Sequence, residues 1–368
     1  MSEIILEQIY RFPVKGFPGQ KIEGTAIKAG EGIPNDRRFA VTNGTEDTGS
    51  WMKARSFFIN SVIDNMYSFD MQFDEASVKL KNASGMALAF DLNDQSSLAA
   101  ANEQITEFMQ PVGIKTDAPP PKIIERKNHN ANWDYDDTPI SIINAESVRQ
   151  IADQLNAELD PARFRGNLII SGMPPWEEFA LAGKRIKIGG IELEVHRSID
   201  RCPTPGVNPV TGERDVPVTP KLNELHGHIY CGMYARVVKS GEIKTGDKLT
   251  VIGDSDTDWQ DFTPENAAAY PKWPRFVEVT EYNVGNNATK MSLKAMGPWA
   301  LPHAQSGQRI RLHFGEKGWT SEYIASASDE HYNLEVAPSE TEDPMTELLR
   351  NGLTVGEKIV ITGPFGRG

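Results

Sequence analysis

Apolar and polar residues alternate over short stretches along most of the chain, which is the pattern of half-buried β-strands. The clearest stretch runs from Arg185 to Val195, where the alternation continues on both sides of Gly189-Gly190 and predicts a hairpin. Similar patterns predict strands at Ile4 to Phe12, Lys248 to Ile252, Phe276 to Thr280, Lys290 to Leu293 and Arg309 to Phe314.

Two stretches have helical spacing instead. Val148, Ile151 and Leu155 share one face of a predicted helix that begins after Asn144 as its N-cap. A second helix is predicted from Pro344 to about Arg350. The expected fold class is therefore mainly β, mixed with a few helices.

Composition changes divide the chain at two places. Residues 254–274 are rich in Asp, Pro, Ala and Trp and have little apolar periodicity, which indicates a linker. A softer boundary falls at the proline run from Pro119 to Pro121. The expected domains are residues 1–120, 121–253 and 275–368, with 254–274 as the linker.

Charge and cysteine content exclude several classes of protein. The net charge of −13 over 368 residues argues against general nucleic-acid binding, and no run of about 18 apolar residues is present to span a membrane. The two cysteines, Cys202 and Cys231, cannot supply four thiolates to an iron–sulfur cluster or a structural zinc ion. A cytoplasmic protein without disulfides is expected, with Cys231 as a packing residue.

The most unusual segment is a loop at residues 200–212, which five Gly or Pro residues hold out of any helix or strand. It contains Cys202 next to Arg201, and a cysteine beside an arginine in such a loop can act as a thiolate. The alternative is that Cys202 is a small buried residue that only packs, which is the common fate of a free cysteine.

Basic residues elsewhere in the chain suggest an anion site. Arg163 and Arg165 stand beside Asn167 just before an apolar strand, and guanidinium groups bind phosphate or carboxylate in a bidentate manner. Lys15 ends the first predicted strand. Each charge alone could simply be solvated at the end of a strand.

Taken in order, these motifs resemble the MOSC family, especially its branch of mitochondrial amidoxime reducing components and their bacterial counterparts. The resemblance covers about residues 1–253. Its motifs are Tyr10-Arg11-Phe12-Pro13-Val14-Lys15, Asp36-Arg37-Arg38-Phe39, Lys53-Ala54-Arg55, Phe164-Arg165-Gly166-Asn167, the Arg201-Cys202 loop with Asn208-Pro209-Val210-Thr211-Gly212, and Gly241-Glu242-Ile243-Lys244-Thr245-Gly246-Asp247.

The resemblance implies a molybdenum cofactor (molybdopterin) with Cys202 as the metal ligand and catalytic residue. It also implies reduction of N-hydroxylated small molecules. Asp200 and Gly16 stand where the family often has serine. A pyridoxal phosphate association attaches to the family as a whole, and no residue here is assigned to it. The implied cofactor-binding residues are Lys15, Arg38, Thr138, Arg165, Asn167, Asp200, Arg201 and Tyr234.

Residues 275–368 resemble the flavin-binding β-barrel of ferredoxin reductase-type enzymes. The matching segments are Ser321 to Ser326 and the predicted closing strand from Leu353 to Lys358, followed by Gly363-Pro364-Phe365-Gly366. The arginine expected before Tyr323 is absent, and acidic residues from Glu340 to Asp343 oppose a pyrophosphate. FAD is therefore disfavoured, which leaves FMN or no flavin, and electrons are expected from an external flavin or iron–sulfur reductase.

Other functions remain open at this stage. The chain could carry the cofactor without turnover, transfer sulfur through a persulfide on Cys202, or serve as an electron-transfer scaffold through its barrel. His196, His226 and His228 could be offered as a proton donor or metal ligands, but too few other ligands lie near them in the sequence. They are therefore interpreted as packing residues.

Overall fold

The chain is described here from a computed structural model. It covers residues 3–61, 63, 66–114, 119–127, 131–135, 137, 139–226, 229–255, 275–296, 301, 304–314, 319–328, 330–337 and 344–365. Contacts group the chain into two compact units. The first unit comprises Met1–Met173, Leu181–Thr219 and Cys231–Asp256, and the second comprises Pro174–Ala180, Pro220–Tyr230 and Thr257–Gly368. The predicted linker lies outside the described residues from position 256 to 274, and the predicted domain boundaries remain predictions.

The first unit is built mainly from strands. In chain order they are β1 (Ile5–Arg11), β2 (Val14–Lys15), β3 (Gln20–Ile22), β4 (Gly24–Ile27), β5 (Phe39–Thr42), β6 (Asp70–Phe73), β7 (Ser77–Lys81), β8 (Ala87–Asp91), β9 (Lys122–Glu125), β10 (Ile140–Asn144), β11 (Leu168–Ser171), β12 (Lys184–Ile188), β13 (Ile191–Asp200), β14 (Tyr230–Lys239), β15 (Gly241–Lys244) and β16 (Leu249–Asp254).

Four α-helices lie in the described residues: α1 (Gln95–Phe108), α2 (Ala145–Leu155), α3 (Val218–His226) and α4 (Pro344–Asn351). The predictions of α2 and α4 are confirmed, and the Asn144 side chain caps α2 by accepting a hydrogen bond from the Glu146 N–H at 3.1 Å. The sequence analysis did not predict α1 or α3. None of the described helices is long and apolar enough to cross a membrane.

The missed helix α1 had readable signals. The Asp94 side chain accepts a hydrogen bond from the Ser96 N–H at 2.8 Å and so caps the helix. Ala101, Ile105 and Phe108 are buried at helical spacing, although polar residues separate them in the sequence. Short 3₁₀ turns complete the elements, at Ala54–Ser56, Met66–Ser68, Gln110–Val112, Pro161–Phe164, Glu177–Leu181 and Thr204–Gly206.

In the described part of the first unit, eight strands form one sheet in the order β16-β12-β13-β14-β10-β11-β1-β3. The predicted hairpin is confirmed as the antiparallel pair β12–β13. β10 and β11 run parallel, with α2 in the connection between them. The strands β13, β14, β10 and β11 are neighbours in this sheet. The segments next to the ends of these strands therefore lie close together, and the candidate site is formed there.

Three smaller sheets complete the described part of the first unit. Their orders are β2-β5-β9, β6-β7-β8 and β15-β4. The first two share an aromatic core in which the Phe69 ring packs between Phe17 and Phe108, with ring centroids 5.1 and 5.3 Å apart. This core anchors β2, whose last residue is Lys15.

The second unit contains a closed barrel in the described residues. Its strands are β17 (Arg275–Val284), β18 (Thr289–Ala295), β19 (Arg309–His313), β20 (Trp319–Ala327), β21 (His331–Val336) and β22 (Lys358–Phe365), in the order β17-β18-β21-β20-β19-β22. The barrel confirms the expected small antiparallel barrel and, with the first unit, the mainly β fold class.

The predicted position of the last strand is wrong. Residues from Leu353 to Lys358 do not form the closing strand, because the Glu357 N–H donates to the Thr354 carbonyl at 3.1 Å and makes a turn there. The closing strand is β22, which begins only at Lys358.

Candidate functional site

A cavity of about 250 Å³ lies in the first unit. The structure brings most of the predicted site residues to its wall: Lys15, Arg165, Asn167, Asp200, Arg201, Cys202 and Tyr234. Thr138 lies outside the described residues. Arg38 is not at this cavity and lines a second one of about 130 Å³.

The thiol of Cys202 is accessible from solvent. Cys202 follows the end of β13 and is exposed, although Arg201 before it is buried. Its Sγ donates a hydrogen bond to Thr204 Oγ1 at 3.1 Å, within the 3₁₀ turn that follows. The alternative interpretation of Cys202 as a packing residue is therefore wrong, whereas Cys231 is buried as predicted.

An ion pair secures the loop that carries the cysteine. Both guanidinium Nη atoms of Arg163 donate to the Asp215 carboxylate, at 2.7 and 2.8 Å. Asn208 Nδ2 also donates to Asp215, at 2.9 Å, and Thr219 Oγ1 donates to the Cys202 carbonyl at 2.8 Å. Arg163 is thus neutralised by a carboxylate, so the predicted clamp of two arginines is reduced to Arg165.

Replacing Asp215 by asparagine is expected to lower the unfolding temperature at neutral pH and to have little effect near pH 2. The hydrogen bonds from Arg163 lower the pKa of Asp215 from 3.8 to about 2. A carboxyl group with a depressed folded-state pKa stabilises the fold above its unfolded pKa. This stabilisation is lost as the pH falls through the folded pKa. The measurement is the unfolding temperature of both proteins across that pH range.

The matched control for this prediction is Glu213→Gln, in the same loop. The Glu213 side chain is exposed and hydrogen-bonds to no described residue. We expect its unfolding temperature to follow that of the wild type at every pH. A constant gap between Asp215→Asn and the wild type from neutral to acid pH would contradict a stabilising ion pair.

The Arg201 side chain is directed into the protein and is hydrogen-bonded to the backbone. Its Nε donates to the Cys231 carbonyl at 2.7 Å and its Nη1 to the Phe164 carbonyl at 2.8 Å. Gly232 makes room for it: φ is +81° there, and a Cβ would lie 2.5 Å from the Ile142 carbonyl oxygen and 3.0 Å from Arg201 Nη2. Arg201 therefore braces the cysteine loop against β14 and the segment before β11.

At the other side of the wall, the buried Lys15 forms an ion pair with Asp134, whose side chain is 47% exposed. Its Nζ donates to Asp134 Oδ1 at 2.7 Å and to the Asn132 carbonyl at 2.9 Å. Burial lowers the pKa of Lys15, and Asp134 opposes that shift. Burial also opposes ionisation of Asp134, but the charges of Lys15 and Arg37 outweigh it, so the pKa of Asp134 lies well below its usual range.

The departure from serine at position 16 has a steric cause. Gly16 adopts φ of +84°, and a Cβ there would lie 2.3 Å from the Phe58 carbonyl oxygen. A serine side chain therefore cannot be accommodated without moving the backbone. Lys15 is presented by a tight turn packed on residues 58 and 59.

Arg37, rather than Arg38, lines the cavity of Cys202. Arg38 pairs with Glu125, its Nε donating to Glu125 Oε1 at 2.8 Å, and its Nη1 donates to Asn35 Oδ1 at 3.0 Å. Arg37 has φ of +50°, so the usual alternation of side chains along a strand does not hold at this position. The sequence analysis identified this motif and named Arg38 as the cofactor-binding residue, whereas the structure places Arg37 at this cavity.

Arg165 and Asn167 have different surroundings. Arg165 Nη1 donates to the Phe17 carbonyl at 2.8 Å, and among the described residues its Nε and Nη2 have no hydrogen-bond partner. Asn167 Oδ1 accepts from Ser141 Oγ at 2.8 Å, and its Nδ2 donates to the Tyr10 carbonyl at 3.2 Å. Arg165 thus keeps donors for a ligand, whereas Asn167 mainly joins β1, β10 and β11.

Two tyrosines form an edge-to-face pair at the wall. The ring centroids of Tyr135 and Tyr234 are 5.4 Å apart, and the Tyr135 hydroxyl donates to Asp200 Oδ1 at 3.4 Å. Burial raises the pKa of Tyr234 well above its usual value, and the charge of Asp134 adds to the shift. The hydroxyl of Tyr234 is therefore protonated at neutral pH and can donate a hydrogen bond.

Two buried donors at the wall have no hydrogen-bond partner among the described residues. They are Asn60 Nδ2 and Trp133 Nε1, and both residues are at least nine-tenths buried. A buried donor without an acceptor is costly, so such groups usually face a ligand or ordered water. The wall therefore offers donors together with three cations, of which Lys15 and Arg37 are paired with carboxylates and Arg165 keeps donors for a ligand rich in anionic oxygens.

Sequence reasoning missed several residues of this arrangement: Arg37, Asn60, Trp133, Asp134, Tyr135 and Asp215. Asp134 precedes Asp136 and Asp137 in the sequence, and Asp215 stands in a charged segment after the Cys202 loop. No spacing rule identifies either, because their partners are more than 50 residues away in the chain. Only Arg37 had a signal, since the motif around it was noted.

Neither His196 nor His226 lines this cavity. His226 packs in the second unit, with its ring centroid 5.0 Å from that of Trp176, and burial lowers its pKa to about 3. His196 is buried on β13. His228 lies outside the described residues. In the described part of the chain, no group of three or more His, Cys, Asp or Glu side chains could hold a metal ion.

Residues 125–250 match the family model described as the MOSC domain. The molybdenum cofactor sulfurase of Caenorhabditis elegans is 37% identical over 81 residues, which cover 22% of this chain and 11% of that protein. That of Drosophila persimilis is 28% identical over 110 residues, or 30% and 14% of the two chains. The YUAD protein from Bacillus subtilis, a solved structure, is similar with a TM-score of 0.32 and 16% identity, over 68% of this chain and 97% of that one.

The chain thus spans only 11 to 14% of the length of these sulfurases. The matched segment nevertheless contains β10 to β15 and the whole cysteine loop. Residues 125–250 are therefore similar to MOSC domains, and the chain is similar over part of its length to molybdenum cofactor sulfurases.

Proposed function

We propose that the first unit binds a molybdenum cofactor with Cys202 as the metal ligand and reduces N-hydroxylated small molecules. The observation that carries the proposal is the exposed thiol of Cys202 at a cavity lined by Lys15, Arg37 and Arg165. A soft thiolate suits a metal that is already held by dithiolene sulfur, and cations suit the phosphate of the pterin.

The residues present fit such a cofactor. In the described part of the chain, Arg165 has guanidinium donors without a partner, and Asn60 and Trp133 have buried donors without an acceptor. A phosphate and a pterin carry many acceptors, so they would satisfy these groups together. Lys15 is a further cation at this wall. Among the described residues, its ammonium group pairs with the partly exposed Asp134 and donates to one backbone carbonyl.

Within this proposal each residue has a defined task. Lys15, Arg37 and Arg165 hold the anionic end of the ligand, and Tyr234 holds a proton on its hydroxyl, from which it can donate a hydrogen bond. When bound, the cofactor would supply two-electron oxygen-transfer chemistry. The net reaction takes an N-hydroxy compound, two electrons and two protons to the amine and water, with cleavage of the N–O bond.

The electrons are proposed to come from a separate flavin or iron–sulfur reductase. The two cysteines of the chain cannot ligate a cluster, and Cys231 is buried. The barrel of the second unit could add a flavin of the FMN type. There Arg309, opposite Tyr323 in the sheet, places its guanidinium 5.0 Å from the tyrosine ring centroid. This arginine stands on a neighbouring strand in place of the one missing before Tyr323.

The second candidate is a cofactor carrier or a sulfur-transfer protein that uses a persulfide on Cys202. The observation in its favour is that the curated relatives are named molybdenum cofactor sulfurases. The exposed thiol of Cys202 suits both candidates. They differ in whether pterin and molybdenum stay bound and whether turnover follows.

Purified protein from a host that makes the cofactor is expected to contain about one molybdenum per chain. It should also reduce an N-hydroxylated amidine with a reduced viologen dye as the donor. The measurements are metal analysis, the absorption spectrum and the rate of amidine formation. The control is the same protein from a host that lacks the cofactor, which should be inactive.

Each other outcome would identify the alternative. Bound molybdenum without amidine formation would indicate a carrier. A sulfur adduct on Cys202 in the mass spectrum, without pterin, would indicate sulfur transfer. A flavin spectrum without molybdenum would favour an electron-transfer scaffold.

A further inference from the structure

The Asn60 side chain is a buried hydrogen-bond donor that the fold itself leaves unsatisfied. Asn60 is 2% exposed, it lines the cavity of Cys202, and its Nδ2 has no hydrogen-bond partner among the described residues. Leaving such a donor unpaired costs free energy, because the amide loses its hydrogen bonds to water on burial. A group of this kind is expected to have a use outside the apo protein.

Another buried asparagine of the same unit shows the usual arrangement. Asn82 is 4% exposed, and its Nδ2 donates to the Phe108 carbonyl at 2.9 Å. Its Oδ1 accepts from the Ser84 hydroxyl at 2.7 Å and from the Met86 N–H at 2.9 Å. Asn82 is therefore a structural residue with a full set of partners, and Asn60 is not.

The backbone of Asn60 is held firmly between the two ends of the site. Arg214 donates from Nη2 to the Asn60 carbonyl at 2.7 Å and from Nη1 to the Pro203 carbonyl at 3.1 Å. Just before Asn60, the Gly16 α-carbon packs so closely that an added Cβ would lie 3.1 Å from the Ile59 Cα. The residue thus stands between the turn of Lys15 and the loop of Cys202.

We infer that Asn60 is a ligand-binding residue whose side-chain amide donates a hydrogen bond to an oxyanion of the molecule in this cavity. The wall supports the class of ligand, since Arg165 lines the same cavity without a carboxylate partner among the described residues, whereas Arg37 is paired with Asp36. The choice of the molybdenum cofactor as that molecule rests on the proposed function. Asn60 belongs to none of the motifs that carry the family resemblance.

The inference predicts opposite effects of one substitution in the loaded and cofactor-free chains. Asn60→Leu removes the donor and keeps a similar volume, so the cofactor-free chain should unfold at the same temperature or a higher one. The loaded chain should lose molybdenum about 10- to 100-fold faster on dilution, as expected for a lost hydrogen bond to a charged acceptor. Metal analysis after timed gel filtration measures this loss.

Two further variants sharpen the test. Asn60→Asp places a negative charge where the donor was, so it should lose molybdenum faster than Asn60→Leu. Asn82→Leu is the matched control, because it removes a buried asparagine with partners. It should lower the unfolding temperature of the cofactor-free chain and leave the molybdenum retained per folded chain unchanged.

Three results would overturn the inference. They are unchanged retention in Asn60→Leu, undiminished retention in Asn60→Asp, and a loss of cofactor-free stability like that of Asn82→Leu. Wild-type protein without molybdenum would contradict the proposed function instead. In that case the unfolding temperatures of the wild type and of Asn60→Leu are measured with and without inorganic phosphate. A rise that is smaller in Asn60→Leu than in the wild type supports the inference. An equal rise in both proteins, or no rise in either, overturns it.

Discussion

Replacing Cys202 by alanine is expected to reduce the molybdenum content of the purified protein to a few per cent of the wild-type value or less. The thiolate is the one soft ligand that the chain offers at the cavity, because Cys231 is buried. The cations and donors of the wall remain in the variant, so a fraction of the pterin could still associate without a protein bond to the metal. Metal analysis and pterin fluorescence on the same sample measure both quantities.

Folding of this variant should be unaffected, which separates the result from simple loss of structure. Cys202 is exposed, and its side chain makes one weak hydrogen bond to Thr204. The control is Cys231→Ala, which removes a buried thiol and should lower the unfolding temperature while keeping the metal. Stoichiometric molybdenum in Cys202→Ala would eliminate the cysteine as the ligand.

The second large effect is expected from Arg201→Ala, which should lower the free energy of unfolding of the cofactor-free chain by about 3–4 kcal/mol. The substitution removes charge-assisted hydrogen bonds to the carbonyls of Cys231 and Phe164 and leaves both acceptors buried. Urea unfolding, with the slope compared between variants, measures the change. The free energy of unfolding of Arg201→Lys should fall between those of the wild type and Arg201→Ala, because a lysine cannot reproduce the planar fork of the guanidinium group.

The control for Arg201 is Arg55→Ala, at an exposed arginine in the Ala54–Ser56 turn. A surface substitution of this kind should change the free energy of unfolding by no more than about 0.5 kcal/mol. The family resemblance implies that Arg201 binds the cofactor directly. Unchanged stability together with a collapse of molybdenum content in Arg201→Ala would favour that role over bracing.

The sequence predicted those residues of the candidate site that stand at the end of a strand or in a loop motif. Lys15, Arg165 and Cys202 are such cases, and the structure places all three at one cavity. The choice between Arg37 and Arg38 was not predictable. Adjacent residues face opposite sides of an extended chain, and the left-handed conformation of Arg37 changes which side that is.

The sequence by itself determined the mainly β fold, the hairpin from Arg185 to Val195, the helix after Asn144 and the loop that carries Cys202. These depend on local alternation, capping and loop composition, which adjacent residues encode. Only the tertiary structure decided how the charges are used. Asp215 neutralises Arg163, backbone carbonyls accept hydrogen bonds from Arg201, and Asn60 Nδ2 has no partner among the described residues. Each of these arrangements depends on which distant segments come into contact. Burial makes the outcome matter, because a buried polar group without a partner costs free energy that a partner would restore.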